Sequence, residues 1–260
     1  MTQFFKLYDR EICWGDSIQQ ARIVPYLAPH TDAVLVESRE LVRLFSKLGM
    51  HVVAFDELDQ DARDRATCSI ADVLRPGVPI PRGYQWELPT LWADETVPFN
   101  PDPSLLQVGL CWHGSGGGRS AIGLDDDWRC IPPEMLLPLL AVPGVQFTAL
   151  HFTDHAQAQP ALENLSELGV WDFAGTAGVM RKLDLVITID TSVAHLAGNL
   201  GVPTWLMLVS PKHSGWDGGR WACVPPLYPS VRQFRQETPG DWSTVIAEVE
   251  AELRMRIEQP

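Results

Sequence analysis

Residues 184–203, DLVITIDTSVAHLAGNLGVP, decide the fold of this 260-residue chain. The apolar run LVITI is typical of a buried strand, and the small-residue run after it predicts a helix. Asp190, Thr191 and Ser192 lie between the two, and all three residue types cap helix starts well. Because the amides of a first helical turn carry the positive end of the helix dipole, this junction can bind a phosphate.

His195 has two interpretations at this junction. With Thr191 as the cap it falls in the second helical turn, within reach of a phosphate bound at the start of the helix. The alternative is a capped helix that carries a packed histidine, and the local pattern alone favours this second interpretation.

The same alternation of strand and helix runs through both halves of the chain. In the first half it predicts strands at 4–8, 33–38 and 51–55, with helices at 16–24 and 40–50. The first helix is expected to begin behind Gly15 and Asp16 and to stop at Pro25. In the second half it predicts strands at 105–112, 145–152, 185–190 and 203–208, with helices at 132–142, 161–169, 176–183, 193–201 and 242–257. This order is typical of parallel sheets with crossover helices.

A proline-rich stretch separates the two halves. Seven prolines fall within residues 76–104, so long helices and central strands are not expected there. Its last part, about 97–104, is interpreted as a linker between a domain at 1–104 and a domain at 105–260. Two Rossmann-like domains joined in this way bind ligands at the carboxyl ends of their strands.

Composition limits the function classes. The net charge of −13 disfavours binding to nucleic acid or to an anionic membrane, although a small phosphorylated ligand needs only a local positive pocket. No apolar run is long enough for a membrane span, and the N-terminus does not look like a signal peptide. Five cysteines without a CxxC pair indicate reduced thiols, so a cytoplasmic protein is expected.

Two further loops are expected at the same edge as residues 190–192. Residues 13–17, CWGDS, carry Asp16, which is either a helix cap or a base that removes a proton from an acceptor hydroxyl. Residues 113–120, HGSGGGRS, are neither a GxGxxG fingerprint nor a Walker A loop. Their glycines let backbone approach a phosphate closely, with Ser115 and Arg119 nearby, and a plain surface loop is the alternative. HExxH and GxSxG are absent, which disfavours metal-dependent and serine hydrolysis.

Several stretches, in order, resemble glycosyltransferase family 9, the heptosyltransferase-like superfamily. They are GDSIQQARIVPYLAP, VGLCWHGS, RCIPPEMLLPLLAVPGVQFTALH, WDFAGTAGVMRKLDLVITIDT and YPSVRQFRQETPGDW. The resemblance is closer still to bacterial glycosyltransferases that follow tetratricopeptide repeats and are distantly related to O-GlcNAc transferases. It covers most of the chain, most strongly from about 105 to 245.

This resemblance implies a GT-B fold, with two Rossmann-like domains facing each other across a cleft. It implies a nucleoside-diphosphate sugar donor and transfer with inversion, without a metal or other cofactor. Asp16 then corresponds to the general base. The residues that it implies at the donor diphosphate are Ser115, Arg129, Asp190, Thr191, Ser192 and His195. Gly114, in the same loop as Ser115, and Lys212, a further candidate cation where the family has variable residues, complete the predicted donor site.

Two other functions stay open on the same fold. One is a nucleotide-sugar epimerase or hydrolase, and the other is a noncatalytic nucleotide-sugar-binding protein. The sequence leaves the sugar and the nucleobase undetermined, and it leaves the acceptor open among a glycan, a lipid-linked compound and a protein.

Overall fold

The computed structural model describes residues 2–7, 14–79, 87–114, 129–151, 162–165, 167–210, 221 and 227–258. Within those residues, no helix combines the length and apolar character needed to cross a bilayer.

The N-terminal half is built on a small parallel sheet. Its strands are β1 (Phe4–Phe5), β2 (Val34–Glu37) and β3 (Val52–Ala54), and they lie side by side in that order. Within the described ranges, five short α-helices accompany them: α1 (Trp14–Gln20), α2 (Val24–Leu27), α3 (Arg39–Phe45), α4 (Gln60–Asp64) and α5 (Ile70–Val73). The predicted strands are confirmed, although each is shorter than expected.

The helix predicted at 16–24 differs from the one observed. It begins at Trp14, so Asp16 lies inside the first turn, and it does not stop at Pro25. A 3₁₀ turn, Ala21–Ile23, follows α1 directly, and Pro25 is the second residue of α2. Proline is tolerated there because the first amides of a helix have no intrahelical partner, so its missing N–H breaks no bond.

The C-terminal half holds a six-stranded sheet whose strand pairs are all parallel. Its strands are β4 (Leu106–Cys111), β5 (Val145–Ala149), β6 (Glu163–Asn164), β7 (Leu185–Ile189), β8 (Thr204–Leu208) and β9 (Val231–Arg235), in the spatial order β6-β5-β4-β7-β8-β9. From β4 the chain continues to β5 and then β6 on one side of the sheet. It returns to β7 on the other side of β4 and continues from there to β8 and β9. The carboxyl ends of these two neighbours form the crevice where such sheets bind ligands.

Two predictions for this half need correction. Residues 161–169 were predicted to be a helix, but Glu163–Asn164 forms the edge strand β6 and pairs with the end of β5. The strand β9 was not predicted. Both are edge strands, stabilised by backbone bonds to a neighbour distant in the sequence, which local periodicity does not reveal.

In the described part of this half, four α-helices accompany the larger sheet: α6 (Leu137–Leu140), α7 (Phe173–Met180), α8 (Ser192–Leu200) and α9 (Ser243–Glu258). Helix α7 begins about one turn before the predicted residue 176, because Asp172 caps it by accepting a hydrogen bond of 2.8 Å from the Gly175 amide. Helix α8 ends as predicted, with Gly201 in the left-handed conformation at φ 71°.

The two halves pack directly against each other. One hydrophobic cluster contains side chains of both, among them Ile18 and Phe45 from the first half and Leu196 from the second. Arg43 of α3 pairs with Asp172 at the start of α7 at 2.7 Å. The intervening segment holds no helix or strand at 74–79 or 87–105, the parts of it that the structure describes. The domain boundary at 104–105 remains a prediction.

Candidate functional site

The start of α8 lies at the crevice of the large sheet, as residues 184–203 predict. Strand β7 ends at Ile189, Asp190 and Thr191 form the turn, and Ser192 is the first helical residue. Thr191 occupies the cap position with extended backbone, but its side chain makes no capping hydrogen bond. Its hydroxyl instead lies 3.4 Å from the Thr188 hydroxyl, so the first amides of α8 receive no side-chain cap from it.

The loop after β4 comes very close to this turn. A Cβ atom added at Gly114 would lie 2.9 Å from the Thr191 methyl group, which is too close for an unshifted neighbour. A glycine at 114 therefore lets the two backbones approach. Beneath them, the Cys111 sulfur lies 3.7 Å from the Thr191 hydroxyl, and burial raises the pKa of this thiol to about 11. Cys111 is thus a protonated packing group at neutral pH and not a nucleophile.

Arg129 lies on the β4 side of the turn. Its Nη1 donates a hydrogen bond of 3.0 Å to the backbone carbonyl of Asp190, and its side chain is half-buried. The carboxylate of Asp190 accepts no hydrogen bond from any residue in the described part of the chain. The turn therefore has a cation bound to its backbone and a carboxylate available for a ligand.

Helix α1 of the first half meets the start of α8. A Cβ atom at Gly15 would lie 3.4 Å from the Ser192 backbone nitrogen and 3.3 Å from Cδ2 of His195. Deeper in the contact, the Asn199 side chain donates a hydrogen bond of 2.7 Å to the Ile18 carbonyl. Asp16, half-buried and next to Gly15, is thereby brought to the start of α8.

His195 is buried, with 1% of its surface exposed. Its Nδ1 lies 3.1 Å from the Tyr228 hydroxyl, and its ring stacks on Trp221 with a centroid separation of 4.9 Å. The Arg22 guanidinium covers the Tyr228 ring at 4.9 Å and donates a hydrogen bond to the Leu227 carbonyl. The histidine is therefore part of an aromatic cluster between the two halves, with its Cδ2 edge facing Gly15.

Sequence reasoning missed a second carboxylate on the α1 side. Glu37 ends β2 and is buried, and its Oε1 accepts a hydrogen bond of 3.3 Å from the Leu7 amide. Burial raises the pKa of Glu37 to about 7, although a hydrogen bond from Ser17 favours the charged form. Its position at the end of a predicted strand was a signal, but nothing in the sequence indicated that it would be buried.

The remaining predicted residues are not all available for comparison. Ser115 and Lys212 lie outside the described residues. Across the ranges that the structure describes, no three His, Cys, Asp or Glu side chains are grouped as a metal site would require. The described site thus brings together Asp16, Gly114, Arg129 and the 190–192 turn, with His195 in the contact between the halves.

No protein-family model matches the chain. Protein FlbA of Caulobacter vibrioides is 25% identical over 174 residues, which are 63% of this chain. The chain spans 27% of the length of FlbA.

Solved structures share the architecture at low sequence identity. The E. coli ADP-heptose LPS heptosyltransferase II matches over 100% of both chains, with a TM-score of 0.60 and 12% identity. The glycosyltransferase family 9 protein of Veillonella parvula matches over 99% of this chain and 89% of its own, with a TM-score of 0.53 and 10% identity. The iron-containing dodecameric glycosyltransferase TibC of enterotoxigenic E. coli matches over 94% and 65%, with a TM-score of 0.51 and 14% identity. The chain therefore has the GT-B fold of these glycosyltransferases, as its sequence predicts.

Proposed function

We propose that this chain is a glycosyltransferase that moves a sugar from a nucleoside-diphosphate donor to an acceptor hydroxyl. The observation that carries the proposal is the contact between α1 and the start of α8 at Gly15 and Ser192. It brings a carboxylate, Asp16, to the start of a helix suited to bind phosphate. A base for the acceptor and an anion site for the donor are the two groups that this reaction needs.

The donor side is assigned to the second half, residues 105–260. The amides at the start of α8 and the hydroxyls of Thr191 and Ser192 bind the diphosphate. Gly114 lies against Thr191, and Ser115 remains a predicted ligand of the same diphosphate. Arg129 and Lys212 supply positive charge, while Asp190 is available for a sugar hydroxyl. His195 remains a predicted donor residue, held in orientation by Tyr228 and Trp221.

The acceptor side is assigned to residues 1–104. Asp16 accepts the proton of the acceptor hydroxyl as that oxygen forms a bond to the anomeric carbon. The bond from this carbon to the diphosphate oxygen breaks, and the nucleoside diphosphate leaves with the electron pair. Since attack comes from the face opposite the leaving group, the configuration inverts. The growing negative charge is stabilised by dipoles that are already oriented before the reaction.

The nature of the donor is tested first by calorimetric titration with ADP, UDP, GDP and CMP sugars. An ADP-sugar is expected to bind best, because ADP-heptose is the donor named for one of the structural relatives. Absence of binding by all four donor types would refute the proposal. If the reaction needs no metal, donor binding and sugar transfer should be the same with and without a chelator. A loss of transfer in the chelator that added iron restores would overturn metal independence.

Asp16→Asn tests the catalytic assignment. The variant is expected to bind the donor with wild-type affinity and to lose transfer by about a hundredfold or more, since general-base catalysis contributes about 10²–10⁴ in rate. Transfer is measured as nucleoside diphosphate released when a cell extract supplies the acceptor. Asp32→Asn is the control, because Asp32 is exposed, precedes β2 and, among the residues that the structure describes, forms an ion pair only with the exposed Arg75. Wild-type transfer by Asp16→Asn would remove Asp16 from this role.

The closer resemblance to glycosyltransferases that follow tetratricopeptide repeats remains part of the proposal and has no support from the solved structures. A cytoplasmic location also remains a prediction.

A further inference from the structure

Strand β9 presents two arginines to opposite sides of the large sheet. Arg232 and Phe234 face α9: Arg232 pairs with Glu252 of that helix at 2.7 Å, and Phe234 packs in the cluster that contains Val249. Because successive side chains of a strand alternate, Gln233 and Arg235 face the other side. The contact of Gln233 with the Trp221 carbonyl, at 2.7 Å, agrees with this orientation. Arg235 therefore lies on the α8 side, at the carboxyl end of its strand.

The guanidinium of Arg235 is held at the edge of the crevice by neutral groups. Its Nη1 donates to the Val209 carbonyl at 3.2 Å, and its Nη2 donates to the Gln233 side chain at 3.3 Å. Val209 directly follows β8, the strand between β9 and β7. Within the described part of the chain no carboxylate forms a salt bridge with Arg235, although its side chain is half-buried. A guanidinium has further N–H donors that these two contacts leave for a ligand.

The electrostatic surroundings agree with this geometry. Burial lowers the pKa of Arg235, while the negative charge of Asp190 raises it, so the two side chains are near enough to interact. Arg129 reaches the backbone of the same Asp190. Arg129 and Arg235 thus both lie near the turn before α8. The described hydrogen-bond partners of Arg235 are neutral groups, and a partly buried guanidinium of this kind can pair with an anionic ligand.

We infer that Arg235 is a second cationic ligand for the diphosphate of the donor, acting with Arg129 across the 190–192 turn. This inference rests on the proposed function, since it names a further residue of the same donor site. A guanidinium matches the paired oxygens of a phosphate and can bind two of them at once. Arg129 and Arg235 reach the turn from different segments of the chain, so a diphosphate can offer each guanidinium its own phosphate group, whereas a monophosphate offers only one. Arg235 should therefore contribute more to binding a diphosphate than to binding a monophosphate.

Calorimetric titration of the full chain with ADP and with AMP, at low ionic strength, tests this role. Arg235→Gln is expected to weaken ADP binding about tenfold to a hundredfold, the range for losing a charge-assisted hydrogen bond, and to weaken AMP binding less. Arg235→Lys should recover part of the ADP affinity. Arg232→Gln is the matched control, because it removes a charge from the same strand on the α9 side and should leave ADP affinity unchanged.

The outcomes separate this inference from the proposed function. If the wild-type chain binds ADP and Arg235→Gln binds it equally well, the inference is overturned and the proposed function stands. Equal losses for ADP and AMP, or an equal loss in Arg232→Gln, would mean that the strand has a structural role only, which also overturns it. If the wild-type chain binds none of ADP, UDP or GDP, the proposed function fails first.

Discussion

Replacing Gly198 by alanine gives the sharpest test of the contact around His195. The added Cβ would lie 2.5, 2.7 and 2.8 Å from three atoms of the Tyr228 ring, whereas ordinary contacts begin near 3.4 Å. The ring must therefore move by about 0.6–0.9 Å. Tyr228 is 1% exposed, its hydroxyl shares a hydrogen bond with His195, and its ring lies under the Arg22 guanidinium. The ring therefore has no open space to enter.

The expected change in stability follows from three contributions. Overpacking a core costs about 1–3 kcal/mol. Disturbing the hydrogen bond between Tyr228 and His195 adds about 1 kcal/mol. Alanine is favoured over glycine inside a helix by about 1 kcal/mol, which offsets part of the loss. Gly198→Ala should therefore lower the free energy of unfolding by about 1–3 kcal/mol, measured by urea denaturation followed by circular dichroism.

A double-mutant cycle identifies the cause. In a Tyr228→Ala background the ring is absent, so Gly198→Ala should become neutral or stabilising by about 1 kcal/mol, which is the helix preference alone. Equal destabilisation in both backgrounds would show that the ring is not the obstacle. An increase in stability from Gly198→Ala in the wild-type background would refute the packing described between α8 and Tyr228.

Two further predictions concern the contact between the halves. Because burial raises the pKa of Glu37 to about 7, against a partial offset from the hydrogen bond with Ser17, the wild type should lose stability as pH rises from about 4.5 to 7, by on the order of 3 kcal/mol. Urea denaturation of Glu37→Gln across this range should lack that loss, and an unchanged pH dependence would contradict the assignment. Asn199→Ala should lower the free energy of unfolding by about 1–3 kcal/mol, because it leaves the buried Ile18 carbonyl without its 2.7 Å donor. Asn100→Ala is the control for Asn199→Ala, because Asn100 is exposed. Equal melting temperatures of the two variants would contradict a stabilising role for the hydrogen bond between Asn199 and Ile18.

The hydrophobic runs predicted most of the helices and strands, because a helix and a strand place their buried residues at different spacings along the sequence. LVITI is fully buried as β7, and the small residues after it form α8 with Gly201 at its end. The helix start at 192 and the turn at 190–191 were likewise predictable from local chemistry. The error at 161–169 and the missed strand β9 share one cause, which is that edge strands depend on their neighbours.

The candidate site was predictable only in part. Asp16, Thr191 and Arg129 were selected from the sequence, and the structure brings the segments that carry them together. Glu37 and Arg235 were not selected, because a glutamate or an arginine at a strand end is usually solvated. Their burial depends on which strands become neighbours.

The sequence alone determined two parallel α/β halves and a phosphate-binding type of turn, because strand and helix periods, caps and glycines act over a few residues. Tertiary structure decided which groups face that turn. The approach of Gly15 to Ser192, the enclosure of His195 by Tyr228 and the position of Arg235 near Asp190 all join residues far apart in the chain. Such contacts arise from packing between the halves and from strand order, which no local pattern encodes.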